Sequence, residues 1–387
     1  MSLFAVCGRA NYTNLSRYSP LSERTFRRNF NEGIALEPIN QVLIEQHGSV
    51  EGVQLLAVDT TFHEKSGRCT RDLDWFYNGK TQQVEKGLEW SVLAVIDLQQ
   101  RTAYALSAQQ TDGTITAQVK ADMAAGKPGL TRVDFDLGHL AYCQPSVPKR
   151  VKYVVADSFH SKRKWVDGVF TLGWNAIGKL RQDANLNYLH QGKRRPGRPQ
   201  KYDGKVNLMD RNPAHFTLAT ALSDETQLWT AVVWSVSLGR RIRLVCSVRE
   251  VAGKDHYALL FSTDLDLSAE DVVTYYRARF QIKFIFRHGP TAYGIVDSQS
   301  RNSDALDAHV NASLTALNLA KVTLRQEMTV PDQPMPDGMS FSIESFKRRA
   351  LNEHLFELFM EQFSLDPTLI ELNPNYEKLL DYGTLRA

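Results

Sequence analysis

The segment VQLLAVDTTF, residues 53–62, decides the predicted fold. Its apolar run is short and ends in Asp59, which two hydroxyl residues follow. Short apolar runs bounded by polar residues are typical of buried strands. A second run of this kind, VKYVVADSFHSK at residues 151–162, reaches the acid Asp157 in the same way. We therefore predict two buried strands that each end in a carboxylate.

Two further apolar runs lie between these strands. LEWSVLAVIDL (88–98) and TAYALSAQQT (102–111) are separated by a polar turn, which predicts antiparallel neighbours of the first strand. The residues from Lys65 to Lys86 are expected to form a loop, and a helix is expected over about 115–124. Three strands, a crossover and a fourth strand is the order expected of an RNase H-like core.

The second half of the chain predicts an insertion followed by helices. Residues 160–182 are expected to be helical or mixed, and the Gly, Pro and basic residues that follow predict an exposed excursion. Apolar runs over 206–260 predict a small inserted sheet. Helices are expected near 268–287, with Ser268 as N-cap and Gly289–Pro290 as its end, and near 303–327 and 343–363.

Composition excludes several classes of protein. With 43% hydrophobic and 23% charged residues, the chain is neither fibrous nor disordered. No secretory signal or membrane-spanning run is present, so we expect a protein that stays inside the cell and has no membrane partner. The spacing of Cys7, Cys69, Cys143 and Cys246 fits no zinc site. Net charge is only +3, but Lys and Arg are concentrated between Lys149 and Lys205.

Asp59 and Asp157 are the candidate catalytic residues. Adjacent strands would bring the two carboxylates to one end of a sheet, where they could share divalent metals. Hard oxygen ligands favour Mg²⁺ or Mn²⁺ over zinc. Taken singly, an acid at a strand end more often begins a loop or caps a helix. His63 and His160 follow the two acids and either flank the site or serve packing and hydrogen bonding.

Several motifs in order resemble the DDE transposases of insertion sequences. The resemblance covers about residues 10–363 and rests on LLAVDTTFHEKSG, LDWFYNG, KGLEWSVLAVIDL, ALSAQQT, YVVADSFHSK, GKLRQDANLNYL, GRPQKYDGKV, YYRARFQI and ALDAHVNASLTALNLAK. It implies an α/β fold with a mixed five-stranded RNase H-like sheet, flanking helices and a β-rich insertion. It also implies Mg²⁺ or Mn²⁺, with Asp59 and Asp157 as the first two acids and metal ligands.

The resemblance also implies a domain order and partners. We expect a helical N-terminal DNA-binding region at 1–50, the first part of the core at 51–182 and a basic loop with the β-rich insertion at 183–264. The final core helices would occupy 265–329, and a linker with a C-terminal helical region 330–387. The implied partner is double-stranded DNA resembling transposon ends, bound by a homodimer or by a dimer with an active copy. The implied location is the bacterial cytoplasm or nucleoid.

The last helix of the core departs from the family pattern. Tyr276 and Arg279 match the family, but Lys283 stands where the family has its catalytic Glu, and Pro290 replaces a Lys. His288 stands where an Asp is common. On a helix, Asp271 and Glu270 point away from the face of Lys283, and Asp297 and Asp304 lie beyond the expected helix end. A lysine beside the two acids would compete with metals.

Basic residues in two segments are the candidate DNA contacts, together with Tyr276 and Arg279. Ser22 is a plausible N-cap of a helix that carries Arg24, Arg27 and Arg28, which resembles a helix-turn-helix element or an ordinary amphipathic surface helix. The stretch KRRPGRPQK resembles a minor-groove AT-hook, with Arg198 inserted and Arg194, Arg195 and Lys201 on phosphates, or else an exposed basic loop. The tryptophans at positions 75, 90, 165 and 174 are expected in the core.

These observations predict a transposase-like DNA-binding protein with impaired catalysis. Two alternatives stay open: an active transposase with a non-standard third metal ligand, and a repurposed non-catalytic DNA-binding or regulatory protein. The family reaction, metal-dependent end cleavage and strand transfer, needs a third acid that the sequence does not supply at position 283.

Overall fold

The computed structural model describes residues 2–113, 115, 129–192, 197–223, 226–251, 254–328 and 342–385. The expected helix over 115–124 therefore lies almost wholly outside the described residues. The described helices are α1 Ser2–Ala5, α2 Tyr12–Leu15, α3 Glu23–Asn31, α4 Glu37–His47, α5 Arg132–Cys143, α6 Arg163–Thr171, α7 Ala269–Ala278, α8 Ile282–Tyr293, α9 Ser303–Met328, α10 Ile343–Gln362, α11 Pro367–Glu371 and α12 Asn375–Leu380.

The strands belong to one twelve-stranded sheet in the described part of the chain. They are β1 Gln54–Glu64, β2 Asp74–Asn78, β3 Gln83–Asp97, β4 Thr102–Gln110, β5 Tyr153–Ala156, β6 Asn175–Leu180, β7 Leu186–Leu189, β8 Tyr202–Lys205, β9 Thr217–Ser223, β10 Thr226–Ser235, β11 Arg240–Val251 and β12 Lys254–Ser262. The loop predicted from Lys65 to Lys86 was wrong in part, because it contains β2 and the start of β3.

Five strands form the predicted mixed core in the order β4-β3-β1-β5-β6. β1 pairs antiparallel with β3, and β3 pairs antiparallel with β4. β1 pairs parallel with β5, from Leu56↔Val154 to Val58↔Ala156, and β5 pairs parallel with β6. The α/β class and the RNase H-like core are therefore confirmed. β6 lies in the segment expected to be helical or mixed, so that expectation held only for α6.

The β-rich insertion continues the core sheet. β6 pairs antiparallel with β12, from Leu180↔Leu259 to Ile177↔Ser262, and β11, β10, β7 and β8 follow in order. The expectation of a separate small sheet was wrong. The pairing of β6 with β12 joins residues far apart in sequence, and no local pattern encodes it.

Helices cover both faces of the core because its central strands are apolar on both sides. Leu56 and Val58 pack toward α5 and α6, whereas Leu55 and Ala57 pack toward α7, α8 and α9. Each fully buried leucine contributes about 1.5–3 kcal/mol. Trp90, Trp165 and Trp174 are buried as predicted. Trp75 is 60% exposed on β2, so its predicted core role was wrong.

The helix predicted over about 268–287 is divided and longer than expected. Ser268 caps α7 as predicted by accepting the backbone N–H of Asp271, and a 3₁₀ turn at Arg279–Gln281 separates α7 from α8. α8 continues past Gly289–Pro290 to Tyr293, so the predicted end was wrong. Gly294 caps it with a φ of 62°, a left-handed conformation that favours glycine.

Two asparagines of α9 satisfy the outer edge of β4. Asn318 accepts the N–H of Ala105 at 2.9 Å and donates to its carbonyl at 2.7 Å. Asn311 makes the same pair of bonds to Ala108, at 2.8 and 2.7 Å. Asn318 also donates to Asn40 of α4 at 3.0 Å. The side-chain amides thus replace the missing neighbour strand.

Replacing Asn318 with alanine is expected to lower the free energy of unfolding by about 2–4 kcal/mol, because buried backbone groups of Ala105 lose their partners. Denaturant-induced unfolding measures this loss. The exposed Asn29 on α3 is the matched control, and Asn29→Ala should change stability by less than about 0.5 kcal/mol. Equal effects of the two substitutions would contradict the role assigned to Asn318.

Candidate functional site

Asp59 lies where the parallel pairing of β1 with β5 ends. The last parallel pair is Val58↔Ala156, so Asp59 and Asp157 are the next residue of each strand. β1 itself does not end at Asp59 but continues to Glu64, paired with β3 alone. The predicted strand end was therefore wrong, whereas the two acids do meet at one end of the β1–β5 pairing.

The Asp59 carboxylate is buried and occupied by cations. Lys283 Nζ lies 2.7 Å from Asp59 Oδ2, and Arg279 Nη1 lies 3.1 Å from the same oxygen. Asp59 Oδ1 accepts the backbone N–H of Thr60 at 2.9 Å. Asp59 is 8% exposed, so little water screens these charges.

The 3₁₀ turn places Arg279 and Lys283 on the side of the sheet that Asp59 faces. Arg279 also lies over the ring of Tyr276, 5.6 Å from its centroid. Burial raises the pKa of the Tyr276 hydroxyl, which the charge of Arg279 partly offsets. The structure thus brings together Asp59, Tyr276, Arg279 and Lys283, as the sequence pattern led us to expect.

Asp157 is held by His160. Asp157 Oδ1 accepts the N–H of Phe159 at 3.0 Å and lies 3.0 Å from His160 Nδ1. The other ring nitrogen, Nε2, lies 3.0 Å from Asp136 Oδ2. His160 is 3% exposed and packs on Trp165, with ring centroids 4.5 Å apart.

The two carboxylates keep His160 protonated. Burial opposes its charge, but the hydrogen bonds from Asp136 and Asp157 outweigh burial and raise the pKa of His160 to about 9. Burial likewise favours the neutral form of Asp157, yet His160 and the charge of Arg279 lower its pKa. His63 differs, because burial lowers its pKa to about 4 and its ring packs on Trp90.

The sequence patterns missed three charged residues beside these acids. Glu89 of β3 and Asp136 of α5 are buried, and Arg132 Nη1 lies 3.0 Å from Glu89 Oε2. An acid on the apolar side of α5 was the only sequence sign of Asp136. The acids, Arg132 and His160 surround a cleft of about 260 Å³, lined by Asp59, Thr60, Tyr77, Glu89, Thr111, Arg132, Phe135, Asp136, Asp157, Phe159 and His160.

The site does not fit Mg²⁺ or Mn²⁺ well. The outer oxygen of Asp59 already faces two cations, and the third ligand position carries an ammonium group. Asp297 accepts the N–H of Ala10 at 2.8 Å, and Asp271 accepts the Ser268 hydroxyl at 2.8 Å, so both are engaged elsewhere. Across the described ranges, no three His, Cys, Asp or Glu side chains have an arrangement that could hold a metal.

The basic residues predicted to contact DNA lie on two exposed segments. Arg24, Arg27 and Arg28 are exposed on α3, and Ser22 caps this helix as predicted. α3 packs on α9 through Phe30, which contacts Ala305 and Ala308. Arg198 and Lys201 are exposed between β7 and β8, whereas Arg194, Arg195 and Pro196 lie outside the described residues.

The largest cleft of the described structure lies beside α3. Arg27 lines it together with Arg301, and its volume is about 510 Å³. Asn11, Tyr12, Thr13, Asn31 and residues 298–302 complete its wall, so hydrogen-bonding groups predominate. Arg27 also pairs with Glu23 at 2.5 Å.

Comparison with known families follows this geometry. Residues 54–319 match the family described as the transposase DDE domain. A comparison with curated proteins gave no match. None of the helices in the described ranges is long and apolar enough to cross a membrane. The match covers well over half of the chain, from β1 into α9, and the chain belongs to the transposase DDE domain family.

Proposed function

We propose that this member of the family binds double-stranded DNA that resembles transposon ends and is impaired in DNA cleavage and strand transfer. The observation that carries the proposal is the 2.7 Å contact of Lys283 Nζ with Asp59 Oδ2. Cleavage of this type needs metals held by clustered carboxylates. An ammonium group at this position repels such metals and takes one of the oxygens that would bind them.

The Asp157 side supports the same proposal. The imidazolium of His160 neutralises Asp157 and Asp136, as Lys283 and Arg279 neutralise Asp59. Each carboxylate therefore has a protein cation as its partner and needs no metal for charge balance. The alternative of an active enzyme with a non-standard third ligand has no candidate acid among the described residues.

DNA binding is proposed through α3, its neighbouring cleft and the basic loop. Arg27 and Arg301 line one polar cleft, where they can contact successive phosphates. Arg24 and Arg28 extend this surface, and Arg198 and Lys201 form a second basic surface. Tyr276 and Arg279 are more enclosed, because both pack against the Asp59 site.

Self-association, as a homodimer or with an active copy, is proposed through the C-terminal helices. α10 exposes Leu355, Leu358, Phe359 and, just past its end, Phe363, which share one side of the helix. Apolar patches of this kind mark protein contacts. Light scattering of the purified protein tests this, and a monomer at all concentrations would contradict it.

Duplex DNA is expected to bind equally well in EDTA and in Mg²⁺, without nicking in Mg²⁺ or Mn²⁺. Substituting Arg27 and Arg301 with alanine should weaken binding to all sequences, and each lost phosphate contact should reduce the salt dependence of log K by about 0.9. Fluorescence anisotropy at several salt concentrations measures both effects.

Arg348→Ala is the matched control for these substitutions, because Arg348 is exposed on α10, away from the cleft. A salt dependence that is unchanged by the paired substitution would refute the proposed DNA surface. Nicking by the natural protein would refute impaired catalysis.

A further inference from the structure

The cleft between Asp59 and His160 has an aromatic wall. Tyr77 of β2, Phe135 of α5 and Phe159, which follows Asp157, line it. Tyr77 is 55% exposed and Phe159 is 42% exposed. These two rings therefore contribute little to the core and present their surfaces to whatever enters the cleft.

The remaining wall excludes anions. Asp59, Glu89, Asp136 and Asp157 all line the cleft. Its two cationic side chains are already paired, Arg132 with Glu89 at 3.0 Å and His160 with Asp136 and Asp157. A phosphate would meet net repulsion here, so the wall suits a neutral planar group that donates hydrogen bonds.

One acceptor atom is available at the cleft. Asp157 Oδ1 takes the bonds from Phe159 and His160. Within the described ranges, Asp157 Oδ2 receives no hydrogen bond, and the side chain is 40% exposed. Exocyclic amino groups of cytosine, adenine and guanine are donors that a carboxylate accepts, and thymine has none.

We propose that this cleft binds one unpaired nucleobase, which stacks on Phe159 and Tyr77 and donates its amino group to Asp157 Oδ2. The inference rests on the proposed DNA binding and adds a substrate feature to it. A cleft of about 260 Å³ is smaller than pockets for drug-sized ligands, about 300–1,000 Å³, so it admits a single base and not a duplex.

A cation stands ready for the phosphate attached to such a base. Lys162 Nζ lies 3.7 Å from the centroid of the Phe159 ring. A base on this ring therefore brings its phosphate close to an ammonium group, outside the acidic wall. Stacking and a nearby cation together are the usual means of holding single-stranded nucleic acid.

The experiment uses the full chain in EDTA and two short duplexes that differ only in one unpaired 2-aminopurine. We expect the duplex with the unpaired base to bind about 5- to 150-fold more tightly than the paired one, with quenched 2-aminopurine fluorescence. Phe159→Ala and Tyr77→Ala should each remove much of this preference and leave affinity for the paired duplex unchanged. Phe159→Trp should retain the preference.

Trp75→Ala is the matched control, because Trp75 is 60% exposed on the same strand as Tyr77 but does not line the cleft. An unpaired cytosine should also bind more tightly than an unpaired thymine. Equal binding of paired and unpaired DNA with bright 2-aminopurine would overturn the stacking site and leave the proposed DNA binding intact. Absence of all DNA binding would overturn both, and equal effects of Trp75→Ala and Phe159→Ala would overturn the assignment to this cleft.

Discussion

Lys283→Glu is expected to create a divalent-metal site that the natural protein lacks. The substitution replaces the ammonium group 2.7 Å from Asp59 Oδ2 with a carboxylate, which provides the missing oxygen ligand near Asp59 and Asp157. Without metal, three carboxylates repel one another and the variant should unfold at a lower temperature. Mn²⁺ should bind about 100-fold more tightly than to the natural protein and raise the unfolding temperature again.

Lys283→Gln is the matched control, since it removes the same positive charge without supplying a carboxylate. Its unfolding temperature should respond to Mn²⁺ much less than that of Lys283→Glu. Calorimetric titration measures the affinity directly. Tight Mn²⁺ binding by the natural protein, lost in Asp59→Ala, would refute our account of the site.

Nicking of duplex DNA provides a second measurement. Lys283→Glu, alone or with His288→Asp and Pro290→Lys, should nick DNA in Mn²⁺, whereas Lys283→Gln should not. Metal binding without nicking would locate the remaining defect outside position 283.

His160→Ala is expected to destabilise the fold by about 3–5 kcal/mol. The imidazolium is the partner of Asp136, which is 2% exposed, and its removal leaves a buried charge without compensation. Chemical denaturation measures the loss. His256 is exposed on β12, and His256→Ala is the control that should leave stability nearly unchanged. A loss below about 1 kcal/mol for His160→Ala would contradict the ion-paired arrangement.

The same contacts predict how stability depends on pH. The pKa of His160 rises from 6.5 to about 9 on folding, so its contribution is complete below about pH 6.5 and is lost as the pH rises through 9. The shift corresponds to about 3 kcal/mol. The lowered pKa of Asp157 acts at the other end, where its contribution is lost as the pH falls below 3.8. The alkaline loss should be smaller in His160→Ala, and an identical loss in both proteins would argue against it.

The sequence predicted those parts of the site that lie on local patterns. Two apolar runs that lead to Asp59 and Asp157 were enough to place both acids together, and helical spacing placed Arg279 and Lys283 on one face. Asp136 and Glu89 were missed because their burial depends on contacts between elements distant in sequence. The join of β6 to β12 was missed for the same reason.

Helix ends and exposed aromatics were less predictable. A Gly–Pro pair usually ends a helix, but the packing of Ile282 and Ile285 against the core supports α8 beyond it. Trp75 follows the alternation of its strand, yet β2 pairs only with β3 and has no helix over the face that Trp75 occupies. Periodicity identifies a strand face and leaves open what covers it.

The asparagines that seal β4 also restrict how two copies could meet. An open strand edge invites pairing with a strand from another molecule, which leads to extended sheets and aggregation. Here Asn311 and Asn318 already hold the outward backbone groups of Ala105 and Ala108. A second copy cannot add a strand at these positions without displacing α9, so dimers that preserve the fold must form through side-chain surfaces such as the apolar side of α10.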